Sequence, residues 1–120
     1  MAVFEIEGKE YDVKLNLEAI NKINKKHNSA LEFVGEVMQG NIDVFIDVLH
    51  FGLLHTGEGF TRKQVEKEFN EKFENEEIDL DYILVTGNEV VTDNFFFRKT
   101  VNKMMKSDPS MKEQMDLIYK

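Results

Sequence analysis

The segment from Ile42 to Leu54 is apolar on nearly every side when it is read as a helix. It is too short to span a bilayer, and Asp43, Asp47 and His50 interrupt it. A short helix that is apolar almost all round belongs at the centre of a folded domain, because other elements must cover every face. The segment therefore predicts the central helix of a helical body.

The start of the chain predicts a β-hairpin. Apolar and polar residues alternate in two runs, which is the period of a strand; the apolar members are Phe4, Ile6, Tyr11, Val13 and Leu15. Gly8 lies between the runs and can supply the positive φ angle of a tight turn. A two-stranded hairpin is marginally stable in water, so its apolar face must pack on helices.

Helix-capping residues divide the rest of the chain. The predicted N-caps are Asn16, Ser29, Asn41, Thr61 and Asp108, and Gly40 is placed to end the second helix. Apolar residues at helical spacing follow the caps, among them Leu17, Leu31, Ile42 and Phe73, and a further stripe begins at Leu80 after the acidic break 75–77. We expect an α+β, mostly helical fold, in which an N-terminal antiparallel β-hairpin packs on about five helices. We expect a single domain over residues 1–120, with the hairpin in 1–15, a helical body in 16–106 and a short C-terminal helix in 107–120.

The segment from Tyr82 to Thr92 is open to two interpretations. The apolar residues from Leu80 to Met105 fit one long helical stripe, but the triplet from Thr86 to Asn88 is typical of a turn and would allow a second hairpin. A glycine inside a helix costs about 1 kcal/mol. A helix is favoured because the stripe continues in phase across the triplet into Phe95.

Charge and composition exclude several functional classes. The chain has 15 basic and 23 acidic residues, so its net charge of -8 disfavours direct binding to nucleic acid or anionic lipid. With no cysteine, it has no disulfide, thiolate zinc site or cysteine nucleophile. The N-terminus shows no signal peptide, and this composition fits a reducing cytosol.

Side-chain sets that carry catalysis or bind metals are not evident. His50 and His55 are five residues apart, which does not fit a metal pair on one helix face, and hydrogen-bonded histidines are the simpler interpretation. The acidic run 76–81 lacks the ligand pattern of a calcium loop. Gly57 and Gly59 lack the Lys and Ser/Thr of a phosphate-binding loop. We therefore expect no catalytic residue, no metal, no cofactor and no enzymatic activity.

The late part of the chain points to protein binding. Three consecutive phenylalanines on a helix sweep about 200°, so at least one should approach the surface, although a wide buried face would accommodate them as well. Methionines near the C-terminus would give a flexible apolar surface or fill the core. The candidate partner-binding residues are Phe95, Phe96, Phe97, Met104, Met105, Met111, Met115 and Ile118.

The residues from Phe4 to Leu15 read F-E-I-E-G-K-E-Y-D-V-K-L, and they are followed by Ala19-Ile20 and Ile23-Asn24. This opening resembles the start of small tail assembly chaperones from long-tailed phages and prophages of Gram-positive bacteria. The similarity is best over the first half and continues as helix order and an aromatic-rich segment around Phe95. It involves structural residues, so it carries over no catalytic residue.

The resemblance implies a protein of the infected cell's cytoplasm, absent from the mature virion, that binds the tape measure protein. It would keep this client soluble, help to recruit major tail protein and self-associate along the client. In many relatives a translational frameshift adds a C-terminal extension. The alternative function is an acidic phage-encoded inhibitor or DNA mimic that binds a host nucleic-acid enzyme.

Overall fold

The computed structural model describes residues 2–107, with side chains described as far as Lys103. The elements in chain order are β1 (Val3–Ile6), β2 (Lys9–Asp12), α1 (Leu17–Lys26), α2 (Ala30–Met38), α3 (Ile42–Gly52), a 3-10 helix (Leu54–Thr56), α4 (Arg62–Glu74), α5 (Leu80–Asp93) and α6 (Phe95–Ser107). The predicted fold class, α+β and mostly helical with an N-terminal hairpin, is confirmed. The predicted helix after residue 107 lies outside the described residues.

The hairpin closes through a two-residue turn. The paired residues are Val3 and Asp12, Phe4 and Tyr11, Glu5 and Glu10, and Ile6 and Lys9. Glu7 and Gly8 both have positive φ angles, 51° and 81°, as in the turn type that matches the twist of the strands. Gly8 was the predicted turn residue, and the structure adds Glu7. In this register Phe4 and Ile6 face the helices and are buried.

Helix α3 is the centre of the fold, as predicted. It contacts α1, α2, α4 and α5, and its buried residues are Val44, Phe45, Ile46, Asp47, Val48, Leu49, Phe51 and Gly52. The hairpin reaches α3 at its C-terminal end, where the Lys14 backbone N–H donates to the Gly52 carbonyl at 2.9 Å. A Cβ at Gly52 would collide with Val13, so this close approach requires glycine.

The predicted N-caps within the described residues are confirmed. Asn16, Ser29, Asn41 and Thr61 each accept a hydrogen bond from a backbone N–H in the first turn of the helix that follows. In turn, Gln64 Oε1 accepts a hydrogen bond from the Thr61 backbone N–H at 2.8 Å, which completes a capping box. Gly40 follows α2 with φ 78°, the conformation expected just after a helix C-terminus.

Residues 82–92 form part of helix α5, so the helical interpretation is confirmed and the second hairpin is excluded. Close packing against α2 and α3 explains why Gly87 lies inside this helix. A Cβ at Gly87 would lie 3.0 Å from Val37 Cγ1 and 3.5 Å from Phe45 Cδ1. Gly87 therefore lets α5 lie close to α2 and α3, which offsets its low helix propensity.

The predicted continuous helix from Leu80 to Met105 is wrong, because α5 ends at Asp93 and a separate helix, α6, begins at Phe95. Asn94 has the extended angles φ -91° and ψ 121°. Its Oδ1 accepts from the Phe96 N–H at 2.8 Å, and its Nδ2 donates to the Leu15 carbonyl at 2.7 Å. Asn94 thus caps a new helix, and the described residues contain six α-helices where about five were predicted for the chain.

Several residues of the predicted inward stripes lie at the surface instead. The exposed members are Leu17, Leu31, Ile42, Phe73 and Leu80. All five occupy the first or last two residues of a helix. A helix that crosses a small core extends beyond it at both ends, so spacing alone overestimates burial there.

Candidate partner-binding surface

Two aromatic side chains are exposed at the start of α6. Phe95 is 81% exposed and Phe96 is 52% exposed, whereas Phe97 is 1% exposed. Successive helix positions turn by about 100°, so the same three-residue run places two side chains at the surface and one in the core. Phe97 packs near Phe33 at a centroid distance of 6.3 Å and meets Phe96 edge-on at 5.2 Å. The core thus supports the exposed pair from beneath.

A groove lies beside this aromatic pair. It has a volume of about 390 Å³ and is lined by Lys14, Leu15, Val90, Asp93 and Asn94. The hydrogen bond from Asn94 to the Leu15 carbonyl joins its two sides. The helices that begin beside this bond start with Leu17 and Phe95, the two most exposed large apolar side chains among the described residues. We call this groove, together with Leu17, Phe95 and Phe96, the junction surface.

Hydrogen bonds to the end of α5 fix the direction of α6. Arg98 Nε donates to the Thr92 carbonyl at 2.8 Å, and Arg98 Nη2 donates to the Asp93 carbonyl at 3.3 Å. A guanidinium at a helix C-terminus satisfies carbonyls that have no partner within the helix. Together with the Asn94 cap, these bonds fix the start of α6, where Phe95 is exposed.

The structure brings together only part of the predicted partner-binding set. Phe95 and Phe96 lie on the junction surface, and Phe97 lies in the core below it. Met104 and Met105 belong to α6. The remaining predicted residues, Met111, Met115 and Ile118, lie outside the described residues. Leu17 and the groove were missed; the only sequence signal was a leucine directly after the predicted cap Asn16.

A buried ionic cluster was also missed. Asp47 on α3 is 1% exposed and accepts hydrogen bonds from Lys26 Nζ at 2.7 Å, Arg62 Nε at 2.8 Å and His27 Nε2 at 2.9 Å, with the imidazole as donor. Burial by itself would raise the pKa of Asp47, but the bonds from Lys26 and Arg62, helped by the Lys26 charge and His27, outweigh it and lower the pKa. The cluster ties α1 and α4 to α3. A carboxylate within the most apolar segment was the available signal.

The three histidines are hydrogen-bonded. His27 contacts Asp47, and His55 Nε2 lies 2.7 Å from the Asp12 carbonyl oxygen. Burial lowers the pKa of His50, although a backbone hydrogen bond at Phe60 opposes the shift. Within residues 2–107, no group of three or more His, Asp or Glu side chains is placed to hold a metal ion.

Acidic residues gather between the hairpin turn and α4, but basic residues are mixed with them. The lining of this open groove includes Glu5, Glu7, Glu68, Glu71 and Glu77 together with Lys67 and Lys72. Lys72 Nζ contacts Glu68 Oε2 at 3.3 Å. Such interspersed charges differ from the unbroken carboxylate rows that a DNA mimic would present.

Among the described helices, none is individually long and apolar enough to cross a membrane. The α2 segment and the segment 42–56 reach that length and apolarity only as a pair, and the pair bends by 117° at the break between them.

Comparison with known proteins gives one family. The model of the family described as "Phage tail assembly chaperone protein, TAC" matches residues 3–106, which include the hairpin, helices α1 to α5 and nearly all of α6. No curated protein and no solved structure shows significant similarity to the chain. The matched range contains the whole junction surface. The chain therefore belongs to the phage tail assembly chaperone family.

Proposed function

We propose that this chaperone binds the tape measure protein of its phage, keeps it soluble and helps to recruit major tail protein during tail morphogenesis. It acts as one domain and by stoichiometric binding, without catalysis. It works in the cytoplasm of the bacterial host and is not part of the mature virion. Copies of the chain associate along the client.

The observation that carries this proposal is the exposed aromatic pair in a member of a chaperone family. An apolar client helix that lies on the junction surface would cover Phe95 and Phe96 and insert side chains into the groove between Leu17 and Phe95. Met104 and Met105, with Met111, Met115 and Ile118, would extend the apolar contact. The net charge of -8 keeps the complex in solution.

The expected contribution of one aromatic side chain follows from its exposure. Burying a fully exposed phenylalanine side chain is worth about 1.5–3 kcal/mol. Because Phe95 is 81% exposed, its complete burial under a client helix should contribute about 2 kcal/mol. Phe95→Ala should therefore weaken binding about 30-fold.

The test is co-expression of the chain with the tape measure protein of the same phage, followed by measurement of the soluble client fraction and co-purification. The wild type should keep the client soluble, and Phe95→Ala and Phe96→Ala should reduce that fraction. Phe73→Ala is the matched control, because Phe73 is a phenylalanine on α4 with 48% exposure, close to the 52% of Phe96. An insoluble client with the wild type, or an equal loss with Phe73→Ala and Phe96→Ala, would contradict the proposal.

A further inference from the structure

Charge is distributed unevenly along the chain. Residues 1–94 contain 20 acidic and nine basic residues, whereas α6 contains four basic residues and no acidic one. The basic residues of α6 are Arg98, Lys99, Lys103 and Lys106. Solubility explains a high net charge of either sign, but it does not explain a basic helix on a strongly acidic body.

The basic side chains follow the exposed aromatic pair along one face of α6. Lys99 is exposed and lies one helical turn beyond Phe95, and the exposed Lys103 lies one turn beyond Lys99. Arg98 has a different role, because it donates to carbonyls at the end of α5. The outer face of α6 is therefore aromatic at its start and cationic beyond.

We propose that α6 selects apolar helices that carry acidic residues beside their apolar stripe. This inference rests on the proposed function, since it specifies the chemistry of the client helix at the same surface. The aromatic pair would cover the apolar stripe, and Lys99 would meet a flanking carboxylate. A client helix with basic flanks would be repelled at this face.

The rest of the chain favours the same orientation. Residues 1–94 as a whole carry an excess of carboxylates that repels an acidic client, but basic residues predominate on α1, which has three lysines and one glutamate, as well as on α6. The long-range field thus directs an acidic amphipathic helix to the two helices that begin at the junction surface, with Leu17 and Phe95, and short-range apolar contact with the aromatic pair holds it at α6. The one acidic side chain that lines the groove, Asp93, lies at the end of α5, before the cationic face begins.

Two synthetic amphipathic peptides test the selection. They share one apolar stripe and carry either Glu or Lys at the flanking positions, and their binding to the full chain is followed by fluorescence anisotropy. At low salt we expect the Glu peptide to bind about fivefold more tightly, because Lys99 attracts its carboxylates and repels the lysines of the other peptide. The difference should shrink severalfold at high salt, because exposed charges are screened.

Charge reversal locates the effect. Lys99→Glu should weaken binding of the Glu peptide about fivefold, through loss of one attraction and gain of one repulsion. Lys63→Glu is the control, because it makes the same change of net charge at an exposed lysine on α4. It should change affinity less than twofold.

Three results would overturn the inference: equal affinity for the two peptides, equal effects of Lys63→Glu and Lys99→Glu, or no binding of either peptide to the wild type. None of them decides the proposed function. That function is judged by the soluble fraction of the tape measure protein and by its dependence on Phe95, so the two proposals fail separately.

Discussion

Removal of the buried carboxylate of Asp47 tests how the helices are held together. Asp47→Ala deletes the acceptor of three hydrogen bonds, from Lys26, His27 and Arg62. Loss of one partner from a buried ion pair costs about 3–5 kcal/mol, because charge is left buried without compensation. The Lys26 and Arg62 side chains are 45% and 27% exposed and can regain water, so we expect the lower end, about 3 kcal/mol.

The assay is urea unfolding followed by circular dichroism, with thermal melting as a second measure. A loss of about 3 kcal/mol should lower Tm by roughly 10 °C in a domain of this size. Asp43→Ala is a matched control on the same helix. Asp43 also pairs with Arg62, at 2.7 Å, but its side chain is 82% exposed, so its removal should cost less than about 1 kcal/mol.

The effect should depend on pH. The pKa of Asp47 is lower in the folded chain than its ordinary value, so its stabilising contribution is complete above the unfolded pKa, about 3.9, and is lost as pH falls through the folded pKa. The stability gap between wild type and Asp47→Ala should therefore be largest near neutral pH and narrow below about pH 4. Equal losses for the Asp43 and Asp47 variants, or a gap that widens in acid, would refute this reasoning.

Four substitutions test the fold by thermal melting. Phe97→Ala should cost about 3–5 kcal/mol, because Phe97 is buried, whereas Phe95→Ala should change stability by less than about 0.5 kcal/mol; similar losses would contradict the assigned faces of α6. Gly52→Ala should cost about 1–3 kcal/mol through its collision with Val13, and an unchanged Tm would show that the hairpin does not press on α3 there. Asn94→Ala should cost about 1–2 kcal/mol by removing the α6 cap and the bond to Leu15; if Asn94→Ala is neutral, neither bond stabilises the junction.

Local patterns predicted the elements whose causes are local. Asn16 and Thr61 cap their helices with bonds to residues three positions on, so the sequence contains both partners within one turn. The alternation around Gly8 likewise predicted the hairpin. Asn94 broke the predicted long helix because one of its bonds reaches Leu15, which lies far away in sequence. The position of such an asparagine within a helical pattern does not indicate a helix break until its distant partner is known.

The candidate surface was predictable only where its cause is local. Helix geometry spreads Phe95, Phe96 and Phe97 over about 200°, which favoured exposure of at least one of them, but which of them is buried depends on where Phe33 lies. The partners of Asp47 come from α1 and α4, so the ionic cluster had no local pattern to reveal it. Long-range packing decides both features.

The bond between Asn94 and Leu15 joins residues separated by 79 positions. During synthesis on the ribosome, Leu15 emerges long before Asn94, and the groove between them has only one side until Asn94 has been made and has reached the Leu15 carbonyl. A nascent copy therefore lacks the complete junction surface until Phe95 and Phe96 have been made. Client capture through this surface would begin only with copies whose synthesis has passed the start of α6.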